Sequence, residues 1–271
     1  MYRLIALDID GTILNSDKQI SPRTIAAIQA ASQAGVHVVL ASGRPLDGIL
    51  MHLETLGLTS EDQYVVSYNG GLVQRISDGK VLCSQLLHGS DTKKLGRLAQ
   101  QLGVHTHAFS LSKGLITPQV SRYTEHEAFM NDIPWTTFDY ESLDDDEPIM
   151  KVMLIDEPDI LEDAISKIPE RYYQDYTILR SSPFFLEFMN IHTNKGAGVA
   201  ALADYLSIPS QQVICIGDAG NDHHMIRWAG LGVAMGNADP QTQALADYVT
   251  LSNDQDGVAH VIEKFVLNGT D

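Results

Sequence analysis

The pattern of the chain predicts an α/β protein: a doubly wound parallel sheet into which a second α/β domain is inserted. Three observations carry this. Short apolar runs alternate with helix-period segments at the start, the runs being Leu4–Leu7, Val36–Leu40 and Tyr64–Ser67; such runs read as strands buried on both faces of a parallel sheet. The texture changes to hairpins and isolated helices after Tyr68-Asn69-Gly70-Gly71. The α/β order then returns from about residue 187 to the end. The expected partition is residues 1–83 with 187–271 as one domain and 84–186 as the insertion.

Each element follows from local signals. Ser21-Pro22 supplies a cap and a proline at the first helical position, Ile25 and Ile28 an inner face, and Gly35 a stop. The strand Val36–Leu40 ends in Ala41-Ser42-Gly43-Arg44-Pro45, and another helical stretch runs to about Leu56-Gly57. Strand, helix, strand, helix, strand implies parallel pairing through right-handed crossovers. Leu72–Gln74 and Val81–Gln85, split by Ser77-Asp78-Gly79, form a predicted hairpin. Asp91–Leu102 is helical with Leu95, Leu98, Ala99 and Leu102 on one face. Short strands and loops are expected up to the acidic run Asp144–Glu147, then a strand at Lys151–Ile155, a helix at Pro158–Ile168 and strands at Tyr176–Arg180 and Phe184–Asn190. In the tail, Lys195–Leu206 is helical and Val213–Ile216 is a buried strand ending in Gly217-Asp218-Ala219-Gly220-Asn221-Asp222. A strand at Leu231–Met235 and helices from about Gln241 and Gly257 complete it.

Composition narrows the function classes. At 44% hydrophobic and 20% charged residues over 271 positions, the chain has the make-up of an ordinary globular protein with one large core or two smaller ones. No apolar run is long enough to span a bilayer, and no secretory signal is apparent at the N-terminus. Cys83 and Cys215 are too few for a disulfide framework, so a reducing cytoplasm is expected. A formal net charge of −17 disfavours nucleic acid and anionic membranes as partners. It also means that an anionic substrate would need a metal or a few local Lys or Arg residues to be held at all.

The chemistry centres on Leu4-Ile5-Ala6-Leu7-Asp8-Ile9-Asp10-Gly11-Thr12. Asp8 and Asp10 stand two residues apart and share a face if extended. Two carboxylates at the mouth of a buried strand repel each other unless a cation joins them. Gly11 permits a sharp turn, and Thr12 offers a hydroxyl and an N–H to an anion. Alone, an Asp-x-Asp is more often a simple strand end. Three further stretches change that balance: Ser42–Arg44, Asn194-Lys195-Gly196 and Gly217–Asp222. Three of the four follow a strand, where open α/β sheets bind ligands. Together they provide hard oxygen ligands suited to Mg²⁺ and N–H and cationic groups suited to phosphoryl oxygens.

Asp-x-Asp-Gly-Thr, Ser-Gly-Arg-Pro, Asn-Lys-Gly and Gly-Asp-x-x-Asn-Asp, in this order, resemble the four motifs of the haloacid dehalogenase superfamily. The insertion between the second and third motifs, with the Tyr-Asn-Gly-Gly context of Asn69, is similar to the Cof-type (class IIB cap) branch, and within it to YidA-like sugar phosphatases. The resemblance implies a Rossmann-like core, an α/β cap that covers the site and turns on hinges near Ser84 and Phe185, and Mg²⁺ as cofactor. It implies Asp8 as the nucleophile that forms an aspartyl-phosphate, and Asp10 as the acid that protonates the leaving alkoxide and then activates water. Mg²⁺ would be held by Asp8, the Asp10 backbone carbonyl and Asp218. Thr12, Ser42, Gly43, Lys195 and Asn221 would bind the phosphoryl group, with Asn69 in support, Asp222 supporting either Lys195 or the waters on the metal, and Arg44 either a supporting charge or a salt-bridge anchor. Many relatives carry Thr where this chain has Ser42; the hydroxyl is kept and only its stiffness changes.

The implied reaction is hydrolysis of small phosphorylated metabolites, sugar phosphates foremost. Rival readings are a phosphomutase of the same superfamily, a glycosyltransferase using Asp-x-Asp on a metal, a receiver-type signalling domain, and a non-catalytic phosphometabolite sensor. The first usually has a small cap between the first two motifs, and the second does not need Lys195 or Gly217–Asp222. A receiver would be under half this length, and a sensor would be expected to lack Asp8 or Asp10. Elsewhere, His105 and His107 lack further ligands for a metal pair, and His223-His224 point apart if helical. Asp144–Glu147 reads as a solvated loop. In the inserted segment Arg122, Tyr123 and His126 have the polar and aromatic character to face a sugar.

Overall fold

The computed structural model describes residues 1–268 and divides them into two compact units, Met1–Ser84 with Asn194 onward, and Gln85–Thr193. In chain order the first unit begins with β1 (Leu4–Leu7), α1 (Pro22–Gln33), β2 (His37–Ala41), α2 (Asp47–Leu56), β3 (Tyr64–Ser67), β4 (Leu72–Arg75) and β5 (Val81–Ser84). The second unit contains β6 (Leu87–His88), α3 (Gly89–Leu102), β7 (His105–Ser110), β8 (Gly114–Thr117), α4 (Arg122–Asn131), β9 (Trp135–Thr137) and β10 (Pro148–Ile155). It continues with α5 (Pro158–Ser166), α6 (Glu170–Asp175), β11 (Tyr176–Ser182) and β12 (Phe185–Asn190). The chain returns to the first unit through α7 (Lys195–Tyr205), β13 (Val213–Gly217), α8 (His223–Trp228), β14 (Leu231–Ala234), α9 (Pro240–Leu245), β15 (Tyr248–Val249) and α10 (Gly257–Ile262).

The sheet of the first unit runs β15-β14-β13-β1-β2-β3-β4-β5, parallel from β15 to β3 and closed by the antiparallel β4 and β5. The central strands β1, β13 and β14 are unbroken buried runs because both faces are covered. Alternate residues of one strand go to different cores: Ile5 and Leu7 pack with Ile28 of α1 and Val258 of α10, whereas Leu4 and Ala6 pack with Val199 and Leu202 of α7. The chain builds outward from β1 in both directions, through β2 and β3 on one side and β13 to β15 on the other. The order therefore reverses at β1, and the loops after β1, β2 and β13 open at that switch point, where α/β sheets bind ligands.

The second unit is built on a sheet of order β11-β12-β10-β7-β8-β9, with β6 on β10, antiparallel except for β8 and β9. One face carries Ala108, Val152, Leu154 and Phe188 against α3, α5 and Tyr172. Two expectations are corrected here. Phe185–Asn190 is a strand, as its alternation predicts, but it pairs antiparallel with β10 and β11, so the return to the first unit comes at 193–194 rather than at 187, and Phe185 lies inside a sheet. The stretch expected as short strands and loops contains α4, capped by Ser121, whose hydroxyl accepts from the Thr124 N–H at 3.3 Å. Its apolar residues Phe129 and Met130 are exposed, so the sequence shows no helical period there. No helix among the described residues is long and apolar enough to cross a membrane.

Candidate active site

The loops at the switch point bring the predicted residues together in the first unit. Lys195 opens α7, behind the N-cap Asn194, whose side chain accepts from the Ala197 N–H at 2.8 Å. It is drawn inward because the turn after β3 leaves room: Gly70 has φ +92°, and a Cβ there would lie 2.2 Å from the Asn194 carbonyl oxygen. The Lys195 ammonium is fully buried, 2.5 Å from Asp8 Oδ1 and 2.7 Å from Asp222 Oδ1. Asp222 Oδ2 in turn accepts the backbone N–H groups of Asp218 (2.9 Å) and Ala219 (3.0 Å), so both its oxygens are taken. Asp222 thus fixes Lys195, one of the two supporting tasks expected of it.

Asp218 stands across from Asp8. Their ligand oxygens lie within 4.8 Å of each other, and Thr12 Oγ1 donates to Asp218 Oδ1 at 2.9 Å. The hydroxyl of Thr12, expected to face an anionic substrate, is therefore engaged on a carboxylate. Gly11 has φ +82°, and a Cβ there would lie 2.4 Å from Asp218 Oδ2, so the backbone can pass only as glycine. Asn237, in the loop after β14, donates from Nδ2 to the Gly11 carbonyl at 2.9 Å and steadies that turn.

Ser42 and Asn69 form the other wall. The Asn69 N–H donates to the Ser42 carbonyl at 2.9 Å, and Asn221 Nδ2 donates to Asn69 Oδ1 at 3.1 Å. A Cβ at Gly43 would sit 3.0 Å from Asn69 Nδ2 and press on that amide. Ser42 Oγ accepts the Arg44 N–H at 3.2 Å, which leaves its own proton to donate. Arg44 reaches past it to Asp10 in a fork, Nε to Oδ2 and Nη2 to Oδ1, each 2.9 Å. Lys18, which no sequence signal singled out, adds a contact to Asp10 Oδ1 at 3.4 Å.

The electrostatics separate the carboxyl groups. Burial pushes Asp8 up to about 8, with Lys195 opposing and the like charges of Asp222 and Asp218 adding to it. Burial and Asp222 likewise raise Asp218. Burial works against protonated Lys195, but Asp222 and Asp8 outweigh it and hold the ammonium charged. Burial also acts upward on Asp10, yet the Arg44 fork and Lys18 keep it below the usual carboxylate range.

Asp8, Asp218 and Asp222 offer ligand oxygens within 4.8 Å of one another and could hold a metal ion. The donor set is all hard oxygen, with buried Asp8 and half-buried Asp218 close together and each raised by burial. That arrangement fits a divalent cation such as Mg²⁺. Asp222 is committed to Lys195 and two N–H groups, so Asp8 and Asp218 are the direct candidates. The Asp10 carboxylate, turned to Arg44 and Lys18, is not part of the cluster.

The other singled-out residues lie elsewhere. His105 Nδ1 contacts Asp156 at 2.9 Å and His107 Nε2 meets Met153 Sδ at 3.1 Å, so the two histidines serve separate partners. His223 Nε2 pairs with Thr242 Oγ1 at 2.7 Å. Within the acidic run Glu147 departs from the solvated expectation: it is buried and accepts from the hydroxyls of Ser110 and Ser112. In the second unit Arg122 pairs with Glu157, Tyr123 stacks on Phe184 at 4.8 Å, and His126 meets the same ring edge-on at 5.5 Å.

Comparison with known proteins agrees with this geometry. A family described as haloacid dehalogenase-like hydrolase matches residues 5–262. The chain is 40% identical to YxeH of Bacillus subtilis, a provisionally assigned phosphatase, across 98% of this chain and 99% of that one. It is 32% identical to the 5-amino-6-(5-phospho-D-ribitylamino)uracil phosphatase YcsE of the same organism, across 98% and 96%. A haloacid dehalogenase-like hydrolase from Bacteroides thetaiotaomicron superposes with a TM-score of 0.87 at 32% identity, across 98% and 100% of the two chains. The subclass IIB sugar phosphatase BT4131 shares the fold at a TM-score of 0.80 and 24% identity, across 97% and 98%. This chain belongs to the haloacid dehalogenase-like hydrolase family and is an enzyme of the phosphatase class.

Proposed function

We propose that this phosphatase is Mg²⁺-dependent and hydrolyses small phosphorylated metabolites, sugar phosphates foremost, through an aspartyl-phosphate on Asp8. The observation that carries the reading is the buried Lys195 ammonium clamped between Asp8 and Asp222, beside Asp8, Asp218 and Asp222 oxygens gathered within 4.8 Å of one another. A carboxylate approaches a phosphate dianion poorly because both are negative. Lys195 offsets part of that repulsion, and Ser42 and Asn221 hold phosphoryl oxygens in line with Asp8. When bound by Asp8 and Asp218, Mg²⁺ supplies further charge neutralisation and a template for the phosphoryl group.

In the first half-reaction an Asp8 oxygen bonds to phosphorus and the ester P–O bond breaks; the departing alkoxide takes a proton that Asp10 acquires against the pull of Arg44 and Lys18. In the second, Asp10 takes a proton from water as that water attacks phosphorus and Asp8 is released. Splitting one displacement into two lowers each barrier. The sugar-phosphate class is supported by YcsE, whose named substrate carries its phosphate on a ribityl chain.

A panel of sugar phosphates assayed with and without Mg²⁺ tests the substrate class and the metal together. Turnover of several sugar phosphates that disappears on chelation and returns with Mg²⁺ is expected. Asp8→Asn is expected to abolish turnover while keeping the wild-type melting temperature, and ³²P from a labelled substrate is expected on the wild type only. Full activity after exhaustive chelation, or an active Asp8→Asn enzyme, would overturn the reading.

A further inference from the structure

Asp10 is held differently from the other carboxylates. Its side chain is 44% exposed, yet Arg44 takes both its oxygens in a planar fork and Lys18 adds a third contact. Arg44 is itself anchored on both sides: its N–H donates to Ser42 Oγ, and its carbonyl accepts the Tyr68 N–H at 3.1 Å. Lys18 has φ +59°, a left-handed conformation uncommon for a residue with a Cβ. Asn15 Oδ1 imposes it by accepting the N–H groups of Asp17 (3.1 Å) and Gln19 (2.8 Å), and Asp254 binds Ser16 through its N–H and hydroxyl. A strained turn is thus kept in a place where its lysine meets Asp10.

We propose that Arg44 is a positioning residue for Asp10, needed above all in the hydrolysis of the phosphoenzyme, with Lys18 assisting; this rests on the aspartyl-phosphate reading. In that step a bond forms between the water oxygen and phosphorus. The P–O bond to Asp8 breaks with its electron pair returning to the Asp8 carboxylate, and the water proton passes to Asp10. The same proton goes to the leaving alkoxide in the next turnover, so the cycle balances. An exposed carboxylate rotates about its terminal torsion unless held, and a two-point guanidinium fork fixes its plane as a lysine cannot. With an aryl phosphate the leaving phenolate departs without needing a proton. Phosphorylation of Asp8 then tolerates a misplaced Asp10, whereas hydrolysis does not.

The test uses the full chain, a nitrophenyl phosphate and one accepted sugar phosphate, in rapid-quench and steady-state kinetics on wild type, Arg44→Ala, Arg44→Lys and Asp8→Asn. For Arg44→Ala on the aryl phosphate, kcat is expected to fall by about 10²-fold, the scale of a catalytic group misplaced by roughly 1 Å. KM should fall in parallel, kcat/KM should stay within about threefold, and a burst near one phenolate per site should appear. On the sugar phosphate kcat and kcat/KM should both fall. Arg44→Lys, which keeps the charge without the fork and preserves the test if the alanine variant does not fold, should show the same pattern at smaller amplitude. If kcat/KM for the aryl phosphate falls as far as kcat, or no burst forms, or lysine restores hydrolysis completely, the positioning role is wrong. If Asp8→Asn turns over like wild type, the covalent reading falls first and this inference with it.

Discussion

Lys195 and Asp222 show how much of this site is set by single contacts. Sequence order placed an Asn-Lys-Gly far along the chain from Asp8, and only the fold shows that one ammonium bridges two carboxylates at 2.5 and 2.7 Å. The same scale explains Gly11, whose missing Cβ leaves Asp218 its place. Gly11→Ala is expected to push Asp218 aside at a φ that alanine resists. It should weaken Mg²⁺ binding by about 10–100-fold, the range for groups that orient a metal ligand. Asp218→Ala should weaken it further, with a melting temperature near that of wild type. Calorimetric Mg²⁺ titration of both variants, with their thermal melts, checks this; unchanged affinity in Gly11→Ala would contradict the packing argument. Thr12 shows the opposite lesson. Its hydroxyl was legible as a polar group near the site, but whether it served substrate or Asp218 depended on a residue 206 positions away.

Among the elements, those with a strong period were legible and those shaped by partners were not. β1, β2, β3 and β13 could be read from their apolar runs because burial on both faces leaves no polar alternation to confuse them. α4 escaped because Phe129 and Met130, its largest apolar residues, point to solvent. β7 carries a further consequence. His107 is fully buried, with its ring edge-on to Phe109 and Phe185 and no partner for Nδ1. Burial, aided by Lys151, pulls it down to about 3 from an ordinary 6.5. Between those values the unfolded chain takes up a proton that the folded one refuses, so this residue withdraws stability as pH falls below about 6.5. His107→Phe should therefore lose less of its unfolding free energy than wild type between pH 7 and pH 4.5, measured by urea unfolding at each pH. Parallel losses in the two proteins would refute the assignment.

At the scale of the molecule, the two units have separate cores and separate sheets. The ends of the second unit are tied to each other within it. Thr193 Oγ1 donates to the Gln85 carbonyl at 3.1 Å, and Asn190 Nδ2 to the Leu86 carbonyl at 3.0 Å. Residues 85–193 expressed alone are therefore expected to fold, with a cooperative thermal transition and dispersed amide resonances, and without phosphatase activity. The shorter segment 84–186 should not, since it cuts β12 out of the sheet between β10 and β11. A disordered 85–193 fragment would show that the second unit depends on the first.

The sequence by itself determined the α/β class, the presence of an insertion and the four motifs, because these rest on local signals: apolar period, turn residues and short spacings that any fold of this chain must respect. Tertiary structure alone decided which sheet Phe185–Asn190 joins, that Asp222 serves Lys195, and that Asp10 is gripped by Arg44 and Lys18. Those are pairings between residues distant in sequence. A strand's alternation states which face it buries but not beside which strand, and a carboxylate's identity states its charge but not the cation that will neutralise it.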